Sequence, residues 1–172
     1  MSEEAIINRV QQSGLVSIDL EDYYHSGEKI VFDIKDYLFQ GIILKEKDFR
    51  ESLKNHNWEQ YKGKNIAITC SGDAIIPTWA YMLVTEKLKP HAHIIIFGSL
   101  DELQSKIFSE GIATIDAEQF NQAKVVVKGC SKVEVPVSAY VELTAKLLPV
   151  VSSLMFGEPC STVPVYKQAK NK

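Results

Sequence analysis

With 172 residues, 45% hydrophobic and 24% charged, the chain has material for one domain with a real core and the composition of an ordinary globular protein. Net charge is −3, arginine occurs only at Arg9 and Arg50, and no basic cluster precedes Lys167, Lys170 and Lys172, which argues against nucleic acid as a partner. No apolar run approaches the ~20 residues of a membrane helix, and the acidic start Met1-Ser2-Glu3-Glu4 is unlike a targeting leader. No membrane partner and a cytoplasmic location are therefore expected, where three cysteines read as thiols or metal ligands instead of a disulfide frame.

Taken in order, Glu3 to Gln12 has helical spacing, stopped by Ser13-Gly14. Leu15, Val16 and Ile18 read as a strand, and Asp19 to Gly27 as an acidic, aromatic loop. Ile30 to Asp33 and Tyr37 to Leu44 read as two further strands around a turn at Lys35-Asp36. Lys45 to Asn55 is a charged helix with Phe49 and Leu53 inward. Residues 1–60 thus read as a β-rich N-terminal extension.

From Lys64 the pattern becomes strand–helix–strand. Ile66 to Thr69 is apolar, Pro77 suits the start of a helix, and Ala80, Val84 and Leu88 share one helix face. Pro90 ends that helix, and His93 to Phe97 is the second strand. Ser99-x-x-Glu102 is a capping box opening a helix through Phe108, with a stop at Gly111. Ile112 to Ile115 reads as a short strand and Asp116 to Gln122 as a turn of helix. Val125 to Lys128, Pro136 to Leu148 and Ser152 to Phe156 repeat strand, helix and strand, and Glu158 to Tyr166 leads into a polar tail.

The two strand–helix–strand segments are copies. Pro-x-x-Ala-Tyr-x-x-x-Thr-x-Lys-Leu-x-Pro runs from Pro77 to Pro90 and again from Pro136 to Pro149. The copies continue into Phe97-Gly98 and Phe156-Gly157, while Cys70-Ser71 recurs one residue out of step as Cys130-Ser131. Repeats at Lys64-Gly98 and Lys124-Gly157 predict an α/β fold with a mostly parallel sheet, in a single domain over residues 1–172. If both copies join one sheet about a pseudo-twofold axis, their first strands become neighbours, with a crevice at the carboxyl ends.

Cys70 and Cys130 then stand at the carboxyl ends of those first strands. Cys160-Ser161 follows the last strand, and Asp101 falls opposite Cys160 in the repeat. Three thiolates and a carboxylate at one edge make Cys70, Cys130, Cys160 and Asp101 candidate ligands for zinc or iron, or for an iron–sulfur cluster. Ser71, Ser131 and Ser161 would support the thiolates by hydrogen bonds. Against this stands the bland reading, that a lone cysteine is usually a small buried hydrophobe, and no C-x-x-C occurs. A nucleophilic or sulfur-carrying Cys70 or Cys130 is the second reading, and a small-ligand or protein-binding module with structural cysteines the third. Trp79 is expected to pack in the core and the Asp19 to Asp22 run to be a solvated loop. His91 and His93 fall at the amino end of a strand, away from the cysteines.

The chain resembles an uncharacterised bacterial family, domain of unknown function number twenty-four-eighty. The resemblance lies in Asp33-Ile34-Lys35-Asp36-Tyr37-Leu38-Phe39, Cys70-Ser71-x-Asp73-Ala74-Ile75-Ile76-Pro77-Thr78-Trp79-Ala80-Tyr81, Lys128-Gly129-Cys130-Ser131 and Gly157-Glu158-Pro159-Cys160-Ser161-Thr162-Val163-Pro164. It covers nearly the whole chain and implies no assigned activity. Through its gene neighbourhood it implies a role in handling iron, sulfur or clusters, with iron–sulfur assembly proteins as partners.

Overall fold

The computed structural model describes residues 14–129 and 132–169. The helix expected over Glu3 to Gln12, and the pair Cys130-Ser131, lie outside the described residues. The fold is α/β with largely parallel strands. It divides into two compact units, one of residues 25–107 and one of residues 1–24 with 108–172. The first is therefore inserted into the second, and they are named here the inserted unit and the split unit.

The inserted unit holds a three-stranded parallel sheet in the order β2 (Lys29–Asp33), β3 (Asn65–Thr69), β4 (Ile94–Phe97). Helix α1 (Glu46–Lys54) connects β2 to β3, and α2 (Thr78–Leu88) connects β3 to β4. With spatial order equal to chain order, two right-handed crossovers put both helices on one face. The core agrees: Phe49 and Leu53 of α1 pack with Ala80, Val84 and Leu88 of α2 over Phe32, Ile66 and Ile68. Each large side chain fully buried this way contributes about 1.5–3 kcal/mol.

The split unit repeats the arrangement with β1 (Leu15–Ile18), β5 (Lys124–Val127) and β6 (Ser153–Glu158), all parallel. Helix α3 (Leu100–Ala113) passes from the inserted unit into this one, and α4 (Val137–Leu147) joins β5 to β6. Its core contains Ile18, Leu20, Phe108, Ile112, Phe120, Ala139, Leu143 and Leu147. From Phe49 onward these are the inserted unit's core positions displaced by 59 residues: Phe49 and Phe108, Leu53 and Ile112, Tyr61 and Phe120, Leu88 and Leu147. The duplication thus begins well before Lys64.

Among the described residues the first strands of the two repeats, β3 and β5, are not neighbours, and no single sheet of order 2-1-1′-2′ forms. Each is flanked instead by a strand from the first sixty residues: β2 pairs with β3, and β1 with β5. What reads in sequence as an extension is one strand for each sheet, separated by only ten residues of chain.

Three local differences have physical causes. Tyr37 to Leu44 is not a strand: Asp33 caps a 3-10 turn over Ile34–Tyr37, and only an isolated bridge joins Phe39 to Ile43. Helix α3 continues through Gly111 to Ala113, so Ile112 to Ile115 is no strand. Phe108 and Ile112 are four residues apart on its buried face, and a Cβ on Gly111 would lie 1.9 Å from the Tyr23 carbonyl oxygen. Close approach, not chain reversal, explains this glycine. Finally, Ser161–Lys167 is a seventh strand, β7, antiparallel to β6. Thr162, Val163, Val165 and Tyr166 favour a strand, and Pro164 is tolerated at a sheet edge beside the register shift at Leu154/Met155.

Candidate functional site

In the inserted unit the carboxyl end of the central strand carries Cys70-Ser71-Gly72. Asp33, at the end of neighbouring β2, organises this loop. Its Oδ1 accepts from Ser71 N and from Lys35 N, both at 3.0 Å, and its Oδ2 accepts from the Ser71 hydroxyl at 2.5 Å. The loop is therefore fixed from the adjacent strand. Burial pushes the Asp33 carboxyl up, but the Ser71 and Lys35 hydrogen bonds and the Lys35 charge outweigh it, and its pKa lies below the usual value. Gly72 lies against Leu38 and Lys35, where a Cβ would meet Leu38 Cδ1 at 3.2 Å.

Cys70 is half-buried, and its thiol lies 3.8 Å from the Gly72 carbonyl oxygen as donor. The Tyr81 phenol stands close by: burial raises its pKa first, and the nearby Cys70 and Asp33 add to the rise. Tyr81 meets Phe97 edge to face with ring centroids 5.2 Å apart, and Phe97 is 70% exposed. Ile75, inside the loop, is 97% exposed, and Ile42 and Ile43, which follow the turn after β2, are exposed too. Phe97 ends β4, and Ile75 lies between β3 and the helix that follows it, so both belong to the carboxyl ends of the sheet's strands.

The split unit builds its counterpart from the same parts. Asp19 caps a 3-10 turn over Leu20–Tyr23 after β1, as Asp33 does after β2. From that turn Asp19 Oδ2 accepts from Lys128 Nζ at 3.1 Å, and Glu21 Oε2 from Lys132 N at 2.9 Å. The Asp19 hydrogen bond and charge raise the Lys128 pKa. The chain is thus tied down on both sides of Cys130-Ser131. Tyr140 and Phe156 repeat the edge-to-face contact at 5.5 Å. The Asp19 to Asp22 run, expected as a solvated loop, is instead a capped 3-10 turn that buries Leu20.

The remaining candidates stand on other elements. Cys160 is exposed in the two-residue turn between β6 and β7, so Cys160-Ser161 is a hairpin tip and not a strand-to-helix loop. Cys70 belongs to the inserted unit and Cys160 to the split unit. Asp101 is exposed in the first turn of α3. Among the described residues, no three His, Cys, Asp or Glu side chains gather as a metal cage. Ser71 gives its N–H and its hydroxyl to Asp33.

The histidines are occupied elsewhere. His25 stacks on His93 at 3.6 Å and meets Asn65, at the amino end of β3. His91 lies 3.3 Å from Glu59, and His56 sits between the Tyr37 and Tyr61 hydroxyls at 3.3 and 3.0 Å. Trp79 packs against Phe49 in the core, as expected.

Asp33 and Asp19 are the organising residues that motif reading missed. Their signal is a second, shorter repeat: Ile18-Asp19-Leu20-Glu21-Asp22-Tyr23 recurs fourteen residues on as Phe32-Asp33-Ile34-Lys35-Asp36-Tyr37.

The chain thus forms an α/β protein of two duplicated units, each with an aspartate-capped turn after its first strand, and in the inserted unit that aspartate holds the Cys70-Ser71 loop at the end of the central strand. The chain belongs to the family described as protein of unknown function (DUF2480), whose model matches residues 4–168. No curated protein and no solved structure matches it. No helix among the described residues is long and apolar enough to cross a membrane.

Proposed function

We propose that the protein works by binding, and that its binding elements are the duplicated Cys–Ser loops. The observation that carries this reading is the Asp33 clamp, which spends both carboxylate oxygens on fixing Cys70-Ser71-Gly72 before any ligand arrives. A packing cysteine needs no such clamp. A thiol held this way is a donor for a soft metal ion, zinc or iron, or for an iron–sulfur unit. One thiol per loop leaves coordination positions for a second molecule, which suits transfer better than permanent storage. The exposed Ile75 inside that loop favours a protein, such as an iron–sulfur assembly factor, as that second molecule. The repeat of Cys70-Ser71 in sequence as Cys130-Ser131 extends the same proposal to Cys130.

Cobalt(II) titration of the metal-free, untagged protein tests this. Thiolate-to-cobalt charge-transfer absorption is expected, and Cys70→Ala lowers it without changing the circular dichroism. Absence of that absorption, with Cys70→Ala altering stability alone, would leave the cysteines a packing role.

A further inference from the structure

The internal duplication makes one mismatch informative. Strands β4 and β6 are equivalent, 59 residues apart, yet β6 has a neighbour on each side and β4 has one. On the outer edge of β6 lies antiparallel β7, with Val163 opposite Phe156. At the corresponding point after β4, the chain turns away at Gly98 into α3 instead of returning as a strand. Among the described residues the outer edge of β4 is unpaired. Gly98 N donates to Ile68 O, and by the alternation of a parallel ladder Ile95 and Phe97 direct their N–H and C=O groups to that open edge.

The geometry points to β4 as an acceptor edge for an antiparallel strand from another protein, docked as β7 docks on β6. The side-chain seats match as well. In the split unit Val165 of β7 lies with Tyr140, Thr144 and Phe156 around one small cavity. In the inserted unit the equivalent Tyr81 and Thr85, with Thr78, Met82, Glu86 and Lys89, line an open groove of about 450 Å³. Phe97, at 70% exposed against 40% for Phe156, is the uncovered member of its pair.

The occupant is an extended segment with β-branched apolar residues at alternate positions and an acidic residue near its carboxyl end. The apolar pattern follows from β7. The acid follows from charge: an antiparallel strand would end beside the carboxyl end of α2, where Lys89 has no ion-pair partner among the described residues and Glu86 is paired with Lys87. A second copy fits poorly, because β4 pairing with β4 would share four residues a side, against the ~20–30 of a stable interface. Strand addition needs no such area, since main-chain hydrogen bonds and side-chain pockets supply the affinity.

The probe is a fluorescein-labelled peptide of the sequence Ser161–Tyr166 followed by two glutamates, titrated with the full chain and read by anisotropy. Saturable binding is expected. Phe97→Pro, which removes an outward N–H and the ring, weakens it by about tenfold. Met82→Lys, a helix-surface change that leaves the strand intact, weakens it comparably, and Lys89→Glu by about threefold at low salt. Cys70→Ala leaves it unchanged, which separates this surface from the thiol loop. No saturation, or binding indifferent to both Phe97→Pro and Met82→Lys, overturns the proposal. So does a dimer by light scattering that Phe97→Pro dissociates, since a second copy would then occupy the edge.

Discussion

Asp33→Ala removes the acceptor of three donors at once: Ser71 N, Ser71 Oγ and Lys35 N. A hydrogen bond to a charged group is worth about 1.5–3 kcal/mol when well buried. Asp33 is half-buried, and water can replace part of each bond, so the sum is well below three full bonds. The capping bond to Lys35 N alone is comparable to a lost N-cap, about 1 kcal/mol, and the two Ser71 bonds together add about 1–2 kcal/mol. A loss of about 2–3 kcal/mol corresponds to a melting-point drop of roughly 4–12 °C for a chain this size. Asp33→Asn keeps one acceptor oxygen and falls between. The second readout is the Cys70 thiol, followed with Ellman's reagent in a Cys130→Ser, Cys160→Ser background. Loss of the clamp frees the loop, so Asp33→Ala accelerates Cys70 modification. A melting point within 1 °C of wild type (about 0.3 kcal/mol) together with an unchanged thiol rate would refute the claim that Asp33 holds the loop.

The duplication predicts that Phe49→Ala and Phe108→Ala, both at fully buried equivalent positions, cost similar amounts, about 3–5 kcal/mol each by denaturant unfolding; costs differing by more than half would deny the equivalence. Gly111→Ala tests close approach against propensity. In an open helix alanine gains about 1 kcal/mol, but here its Cβ meets the Tyr23 carbonyl at 1.9 Å, so the melting point falls and a rise would contradict the packing. His25 is held below its usual pKa by burial and then by the His93 charge, and His56 by burial alone. The unfolded chain therefore binds protons first, and stability declines as pH falls from about 6.5; a flat profile from pH 7.5 to 5.5 would count against it. The depressed Asp33 acts lower: its contribution is complete above the unfolded carboxylate value and disappears as pH falls through the lower folded value. In Asp33→Ala that low-pH part of the stability profile flattens; an unaltered acid limb would place the effect elsewhere.

Much of the second half was legible because its periodicities are strong. Pro77 and Pro136 stand at helix starts, the stripes Ala80-Val84-Leu88 and Ala139-Leu143-Leu147 are buried, and the capping box closes with Ser99 N to Glu102 Oε2 at 2.7 Å. Sheet membership was not legible, since β1 and β2 are four and five residues long and their partners lie over a hundred and about thirty-six residues downstream. Strand pairing across such distances is set by which core a strand's side chains complete, here Ile18 in one and Phe32 in the other, and local pattern carries no record of it. The loops were found from cysteine and serine, the most visible residues. Asp33 reads as an ordinary turn residue until its fourteen-residue companion Asp19 is noticed. Cys160 shared the Cys–Ser signature but not the local chain path, since β7 turns its loop into a hairpin.

The most direct measurement is metal and acid-labile sulfide per chain in protein purified without a tag and without oxygen, for wild type and Cys70→Ala. Bound zinc, iron or iron with sulfide in the wild type, reduced in a folded Cys70→Ala, is the predicted result. Metal-free wild-type protein that stays metal-free after incubation with zinc or ferrous iron, its thiols unprotected from alkylation, would contradict it.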